Sequence, residues 1–402
     1  MKARETNDTA TVRQAGNAVF RSDHSIVALF LLGGIFYLNF FSRIFSAPLL
    51  PEFERTLHLT HGQAGLFFFF ISCGYFLSLL ASGFISSCIG HKRSIILSMA
   101  GIGLSLGLLS LTTNIAVIRT TFFLVGLSAG TYLPSAIATI SSLFAPHLRG
   151  RAFAVHELAP NLAFLTAPMY VALLLPHLSW RQLIRLPIAF LLVACLLYAL
   201  WGRDVRIRTP KPDINLYRIL LRHRDFHIMV ILFSLGITST LGIFSVLPTY
   251  LISVHGFTEH QANMLIGASR IPTLGAALAG GFFADYFGHR RAIGLVLFCS
   301  GIMTILLTQN RQLLHIAIWV QPILAVCFFP AGFALLSRIG PPETRGITVS
   351  LTIPLAFVIG GGIMPAVITR MADYGLFATA IGLTGILIAA GGFLVLFMQD
   401  GP

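Results

Sequence analysis

Apolar stretches of about 20 residues, each closed by a short polar link, recur from one end of the sequence to the other. A helix of that length crosses the ~30 Å hydrocarbon core of a bilayer and satisfies its own backbone groups there. Reading the runs against their breaks predicts twelve spans. Six lie over 26–48, 62–86, 94–111, 119–142, 152–175 and 186–201, and six over 228–252, 262–284, 292–308, 313–336, 347–369 and 376–398. The expected architecture is an all-α polytopic membrane protein. A polar tail (1–25) precedes a six-helix half (26–202), a basic linker (203–226) and a second six-helix half (227–402). The tail has no short apolar core followed by a small-residue cleavage site, so the first span is expected to serve for targeting.

Composition agrees: 56% of the 402 residues are hydrophobic and only 10% charged. A soluble domain carries about 25% charged residues, so soluble folds are excluded. The distribution of the 27 Lys and Arg adds orientation. Nineteen fall on the side shared by both termini, five on the opposite side, and Arg43, Arg119 and Arg270 lie in or at the rim of spans. Positive-inside bias therefore places both termini in the cytoplasm, in the cell's inner membrane. This topology and anionic lipid headgroups account for the net charge of +13, with no need for nucleic acid. The five cysteines are odd in number and lack metal-ligand spacing, and they read as packing residues. No metal or cofactor is implied.

The two halves repeat one another. Thr60, Gln63 and Ala64 stand 198 residues before Thr258, Gln261 and Ala262, and each threonine can N-cap the second helix of its half. Gly83, Ser87, Gly90, His91, Lys92 and Arg93 face Gly281, Asp285, Gly288, His289, Arg290 and Arg291 at the same offset. Pro51 faces Pro248 at 197, and Pro134 with Arg149-Gly150 faces Pro330 with Arg345-Gly346 at 196. Six spans per unit is an even number, so both copies enter the membrane the same way round, as parallel repeats.

With the repeat and the span count, the motif G-x-x-x-D-x-x-G-x-[KR]-[KR] between the second and third helices of a half makes the chain resemble the major facilitator superfamily of secondary transporters over its whole length. Gly281, Asp285, Gly288, Arg290 and Arg291 match it in full, whereas Ser87 replaces the acid among Gly83, Gly90, Lys92 and Arg93. The resemblance implies a monomer working by alternating access. It also implies a cytoplasmic latch, in which a carboxylate caps a neighbouring helix N-terminus. Asp285 would meet the start of the fifth helix near 149–152, and uncharged Ser87 would make the weaker copy. The competing reading is a tight glycine turn held by lipid-facing arginines. The G-x-x-x-G-P pattern of many antiporters becomes Ala163-x-x-x-Ala167-Pro168 here, which weakens an efflux assignment. Arg119 is placed to snorkel near the outer surface.

Ionisable residues inside spans are expensive and point to function. Arg43 and Arg270 fall in the outer half of the membrane, with no acid at their depth in the sequence. Water, carbonyls or a substrate anion must then satisfy them, and a planar fork suits a carboxylate or phosphate. Arg43, one turn beyond Asn39, fits equally a role in tying down the outer helix end. Glu157 is the one acid clearly inside a span. Desolvated and next to His156, it can carry a proton for coupling or serve as a hydrogen-bonded structural acid. Polar stripes through Tyr132 and Ser135 on the fourth helix and Thr238 on the seventh, with Asn161 and Gln321, fit a cavity between the halves or interhelical hydrogen bonding.

The leading expectation is a proton-coupled secondary transporter (a symporter) of a small, carboxylate-bearing anion, and not an enzyme. No phosphate-binding G-x-x-x-x-G-K-[ST] loop exists to draw on ATP, and no acid/base or metal cluster suggests catalysis. Efflux of lipophilic compounds, suggested by 34 phenylalanines, is the alternative. A non-transporting membrane sensor is the weaker third reading.

Overall fold

A computed structural model describes residues 22–202, 214–339 and 345–398, and among them every regular element is helical. The spans are α1 Ser22–Ile44, α2 His61–Ile89, α3 His91–Leu109, α4 Ile115–Leu143, α5 Pro146–Leu174 and α6 Trp180–Trp201. They continue as α7 Arg224–Ser253, α8 Glu259–Ala268 with Thr273–Phe287, α9 His289–Leu306, α10 Arg311–Leu336, α11 Arg345–Ala372 and α12 Phe377–Phe397. Eleven helices are long and apolar enough to cross a membrane unaided. The eighth place is filled by the two helices of α8, which a turn divides. Two short helices, Leu50–Leu57 and Ile214–Leu221, were not expected. Of the expected linker, 203–213 lies outside the described residues, and its last residues, from Arg224, belong to α7.

The repeat is visible in how helices start. Thr60 and Thr258 each accept from the backbone N–H of the glutamine three residues on, whose side chain bonds back to the threonine N–H. Both expected caps are thus full capping boxes, satisfying two otherwise orphaned donors apiece. Asn114 and Asn310 cap α4 and α10 in turn, accepting from Ala116 N at 2.9 Å and Leu313 N at 3.0 Å. Gly90 and Gly288 end α2 and α8 at φ 86° and 84°, a conformation that a Cβ would strain.

Prolines place the irregularities. A proline ring clashes with the carbonyl four residues before it and supplies no N–H. α4 is irregular at 130–131, four residues before Pro134, and α5 at Glu157, just ahead of Pro160. The first helix of α8 ends at Ala268, four before Pro272. α7 and α11 instead carry π-helical stretches, Thr238–Gly242 and Phe357–Ile363.

The core is asymmetric across the membrane. One cluster joins the first half to the ends of α7, α8, α10, α11 and α12 that lie away from the termini. A second cluster, toward the termini, draws its buried members from the second half and its preceding short helix, with Phe233, Phe328 and Leu336 among them. The two halves are therefore fused at the face opposite the termini. Side-chain hydrogen bonds clip them there. Asp373 accepts from Thr60 Oγ1 (3.1 Å) and Gly62 N (3.0 Å), and Asn263 donates to Pro48 O (3.2 Å). His260 Nδ1 lies 3.1 Å from Ala172 O.

Candidate functional site

Midway through this interface the two expected arginines belong to one aromatic row. Arg270 occupies the turn that breaks α8, with its side chain 2% exposed. Its guanidinium lies 5.0 Å from the ring of Phe164 on α5 and 5.0 Å from that of Phe244 on α7. Phe164 meets Phe40 edge-on at 5.1 Å, and Phe40 lies 4.8 Å from the guanidinium of Arg43. Arg43 is further enclosed by Tyr75 at 4.1 Å and, across the interface, Phe357 at 5.8 Å. Cation–π attraction supports both arginines, but it leaves N–H donors unmet. Arg270 Nε and Nη1 and Arg43 Nε are buried without a hydrogen-bond partner. Among the described residues no carboxylate pairs with either guanidinium.

The row adjoins the two π-helical stretches, a rare geometry that recurs at functional sites. A Cβ on Gly362 would come within 2.8 Å of Ser72 Cβ on α2, and one on Gly361 within 2.8 Å of Leu241 on α7. Only glycine lets α11 press on both halves at once. The cavity beside Arg43, lined by Phe40, Ser72, Tyr75, Leu241, Ser245 and Phe357 among others, holds about 20 Å³. That is room for about one water molecule, so the site is collapsed in this state.

A second group lies in the first half. His156 is fully buried, stacked on Phe36 at 4.5 Å, with Nε2 3.0 Å from the Tyr132 hydroxyl. Tyr132 donates its one proton to Leu32 O at 2.6 Å, so it must accept from His156. This places a proton on Nε2; Nδ1 has no hydrogen-bond partner and lies 3.6 Å from Glu157 Oε1. Glu157 differs from the expected desolvated acid. Its side chain is 58% exposed, because it stands at the kink that Pro160 forces on α5.

The remaining expected ligands are engaged elsewhere. Asn39 turns away from Arg43 and donates to Ser98 Oγ and Ala129 O, both at 3.1 Å, tying α1 to α3 and α4. Ser135 lies 3.3 Å from His91 Nδ1, and Asn161 donates to Glu157 O at 3.3 Å. Thr238 donates to Ser234 O within its own helix. Gln321 bonds Ser239 O at 2.7 Å and Ser239 Oγ at 3.0 Å, and Ser239 Oγ lies 2.6 Å from Ser300 Oγ. Asn39 and Gln321 thus join equivalent helices, α1, α3 and α4 in one half and α7, α9 and α10 in the other.

The glycine-turn residues cluster at the face of the termini. Gly83, Ser87, Arg93, Asp285, Gly288 and Arg291 are exposed, and Gly90, Gly281 and Arg290 half-buried. Ser87 bonds its own helix at Phe84 O, and Arg290 donates to Val395 O and Met398 O at the end of α12. Asp285 makes no hydrogen bond or ion pair among the described residues, so the expected contact near 149–152 is not formed in this state. Outside the membrane, burial and then the charge of Arg311 lower the pKa of His255.

Sequence reasoning missed the phenylalanines of the row, since nothing local distinguishes Phe164 or Phe244 from lipid-facing neighbours. The break at Pro272 did carry a signal, the proline itself.

The profile of the Major Facilitator Superfamily matches residues 29–268. "Uncharacterized transporter YybO" of Bacillus subtilis (strain 168) is 22% identical over 378 residues, covering 84% of this chain and 85% of the relative. The lincomycin resistance protein LmrB of the same organism is 28% identical over 156 residues, 36% of this chain and 32% of LmrB. Among solved structures, a bacterial homologue of the human lysosomal transporter Spinster, inward-facing and occupied, superposes with a TM-score of 0.76 at 14% identity, over 92% of this chain and 95% of that one. Twelve helical spans in two parallel repeats, the doubled glycine turn and a buried polar site between the halves agree with these matches: the chain belongs to the Major Facilitator Superfamily and is a multi-pass membrane transporter of a small molecule, not an enzyme.

Proposed function

We propose that this transporter moves a small, carboxylate-bearing anion by alternating access, together with protons. The carrying observation is Arg270, buried between the halves with Nε and Nη1 unpartnered and, among the described residues, no carboxylate beside it. Leaving such a charge unmatched in a low-dielectric interior costs several kcal/mol, so a ligand anion that completes it binds with that deficit as its driving force. Arg43, at the other end of the aromatic row, adds positive potential from the opposite half.

Proton coupling is assigned to His156 and Glu157. His156 Nδ1, buried without a hydrogen-bond partner, faces the Glu157 carboxylate at 3.6 Å, so a proton bound there has both groups to hold it. We place the termini in the cytoplasm, the protein in the inner membrane and the functional unit at one chain. The glycine turns with Asp285 then latch the cytoplasmic face when the transporter closes there.

A second reading, efflux of lipophilic compounds, is favoured by the similarity to a lincomycin resistance protein over part of the chain and by the exposed Glu157, which can attract a cation. Uptake into proteoliposomes separates the two. Small carboxylates, lipophilic cations and neutral drugs are offered with and without an imposed pH gradient. Proton-driven carboxylate uptake, lost in Arg270→Gln and uncoupled from pH in Glu157→Gln, is expected. Movement of lipophilic cations alone would replace the anion reading with efflux.

A further inference from the structure

We infer that the transported anion is an aryl monocarboxylate, a flat aromatic body carrying one carboxylate. This rests on the anion reading and narrows it. Three features of the row around Arg270 lead to it.

The first is the approach left open. Phe164 and Phe244 each stand 5.0 Å from the guanidinium of Arg270 and meet one another edge-on at 4.8 Å. Arg270 Nε and Nη1 keep their N–H donors unpartnered there, a pair that one planar carboxylate can meet with its two oxygens.

The second is the shortage of other donors. The hydroxyls close to Arg270 and Phe244 along the chain are committed to backbone carbonyls. Ser269 donates to Ile266 O at 2.8 Å, Thr273 to Arg270 O at 2.6 Å and Ser245 to Leu241 O at 2.7 Å. A phosphate or sulfate brings four oxygens that each need partners when dehydrated, more than the two free nitrogens of Arg270 meet. A monocarboxylate needs few donors, and the free nitrogens of Arg270 provide them.

The third is the wall. From Arg270 the row runs through Phe164 and Phe40 to Arg43, then to Tyr75 and Phe357, which meet edge-on at 5.1 Å. These rings already pair with centroids 4.8–5.1 Å apart, inside the range in which aromatic rings attract beyond simple burial. A ligand ring inserted between Phe164 and Phe244, or between Tyr75 and Phe357, as the halves part replaces one such contact with two. An alkyl chain of equal area gains burial alone, so discrimination of about threefold to tenfold in favour of the arene follows from one added ring contact.

The test is a thermal-shift titration of the detergent-purified full chain with benzoate, cyclohexanecarboxylate, acetate, benzamide and inorganic phosphate, since binding to the native state raises the melting temperature by mass action. Benzoate is expected to act at concentrations about threefold to tenfold below cyclohexanecarboxylate, with benzamide and phosphate inactive over that range. Phe164→Leu and, independently, Phe244→Leu should bring benzoate and cyclohexanecarboxylate together while a carboxylate response remains. If cyclohexanecarboxylate, acetate or phosphate equals benzoate on the native chain, the arene assignment is overturned and the anion reading stands. If benzamide equals benzoate, or no carboxylate shifts the transition, the anion reading itself falls and the inference with it.

Discussion

The two halves each bury one arginine at the same interface, and they hold it differently. Arg43 lies on an unbroken α1, enclosed by Phe40 and Tyr75 of its own half and reached by Phe357 from the other. Arg270 sits where α8 breaks, between one ring from each half, with two buried nitrogens unpartnered. Arg43 itself stands on regular helix, beside a cavity of about 20 Å³, with Nε its one buried unpartnered nitrogen. Around Arg270 the backbone is a turn, flanked by the π-helical stretch of α7. A cation on a continuous helix, held most closely by rings of its own half, is part of the scaffold. One on a broken helix, spanned by rings from both halves, changes its surroundings whenever the halves move, which is what a ligand site in a rocking transporter requires.

Replacing each arginine by glutamine tests this contrast most severely. Arg270→Gln should abolish anion-dependent stabilisation, a loss of about 100-fold or more in affinity, since two charge-assisted hydrogen bonds of about 1.5–3 kcal/mol each disappear. Arg43→Gln should weaken binding by about tenfold or less through lost potential and a loosened cage. Ligand titrations of both variants decide it. Equal losses would make the arginines a symmetric pair and remove the distinction between scaffold and ligand site.

Glycine-to-alanine changes sharpen the comparison between packing within a half and packing across the interface. A Cβ on Gly126 collides with the backbone carbonyl of Ile71, where α4 crosses α2 inside the first half. Backbone cannot step aside cheaply, so Gly126→Ala should lower stability by about 1–3 kcal/mol in any conformational state. A Cβ on Gly362 meets Ser72 Cβ at 2.8 Å, across the interface. The halves can relieve that clash by rocking apart. Gly362→Ala should therefore alter the balance of conformations, read by cysteine accessibility from either face, more than it alters the melting temperature.

Much of this arrangement was legible in the sequence, and the reason for each success or failure is physical. Spans follow from apolar runs because the bilayer demands them of each segment alone. The capping boxes at Thr60 and Thr258 and the turns at Gly90 and Gly288 are local chemistry, so four residues suffice to read them. The anion-site expectation for Arg270 rested on depth, which is also local. Its rings were not legible, because Phe164 and Phe244 come from distant spans and look like their lipid-facing neighbours. The polar residues left two readings open, a cavity or interhelical bonds; Asn39, Ser135 and Gln321 make interhelical bonds in this state, and sequence alone does not say which partner a polar side chain will find. The π-helical stretches left no sequence mark that was read.

The seal opposite the termini offers a smaller effect. Asp373, on the second half, accepts from Thr60 and Gly62 of the first and from Arg370 beside it. Asp373→Asn keeps the shape but removes the charge from these bonds. A loss of about 1–2 kcal/mol should shift the equilibrium away from the state closed at this face by about 5- to 30-fold, with little change in the fold's stability. An unchanged ratio of accessibilities at the two faces would mean that apolar packing alone makes the seal.

The smallest contrast lies in the turns that lead into the capped helices. Two residues before Thr258 stands Gly256, at φ 67°; two before Thr60 stands His58, at φ 53°. The backbone does the same thing in both halves, but only the second uses the residue that can do it without strain. A non-glycine residue in the left-handed region is disfavoured by about 1–2 kcal/mol, while glycine gives back about 0.5–1 kcal/mol in unfolded-state entropy. His58 is exposed, so its side chain contributes little packing to set against this. His58→Gly should therefore stabilise the protein by about 0.5–1 kcal/mol, and Gly256→His should destabilise it by a similar amount. Opposite shifts in melting temperature from these two substitutions would show that the repeat extends to backbone strain. A destabilising His58→Gly would instead mean that the imidazole makes a contact the first half needs and the second has given up.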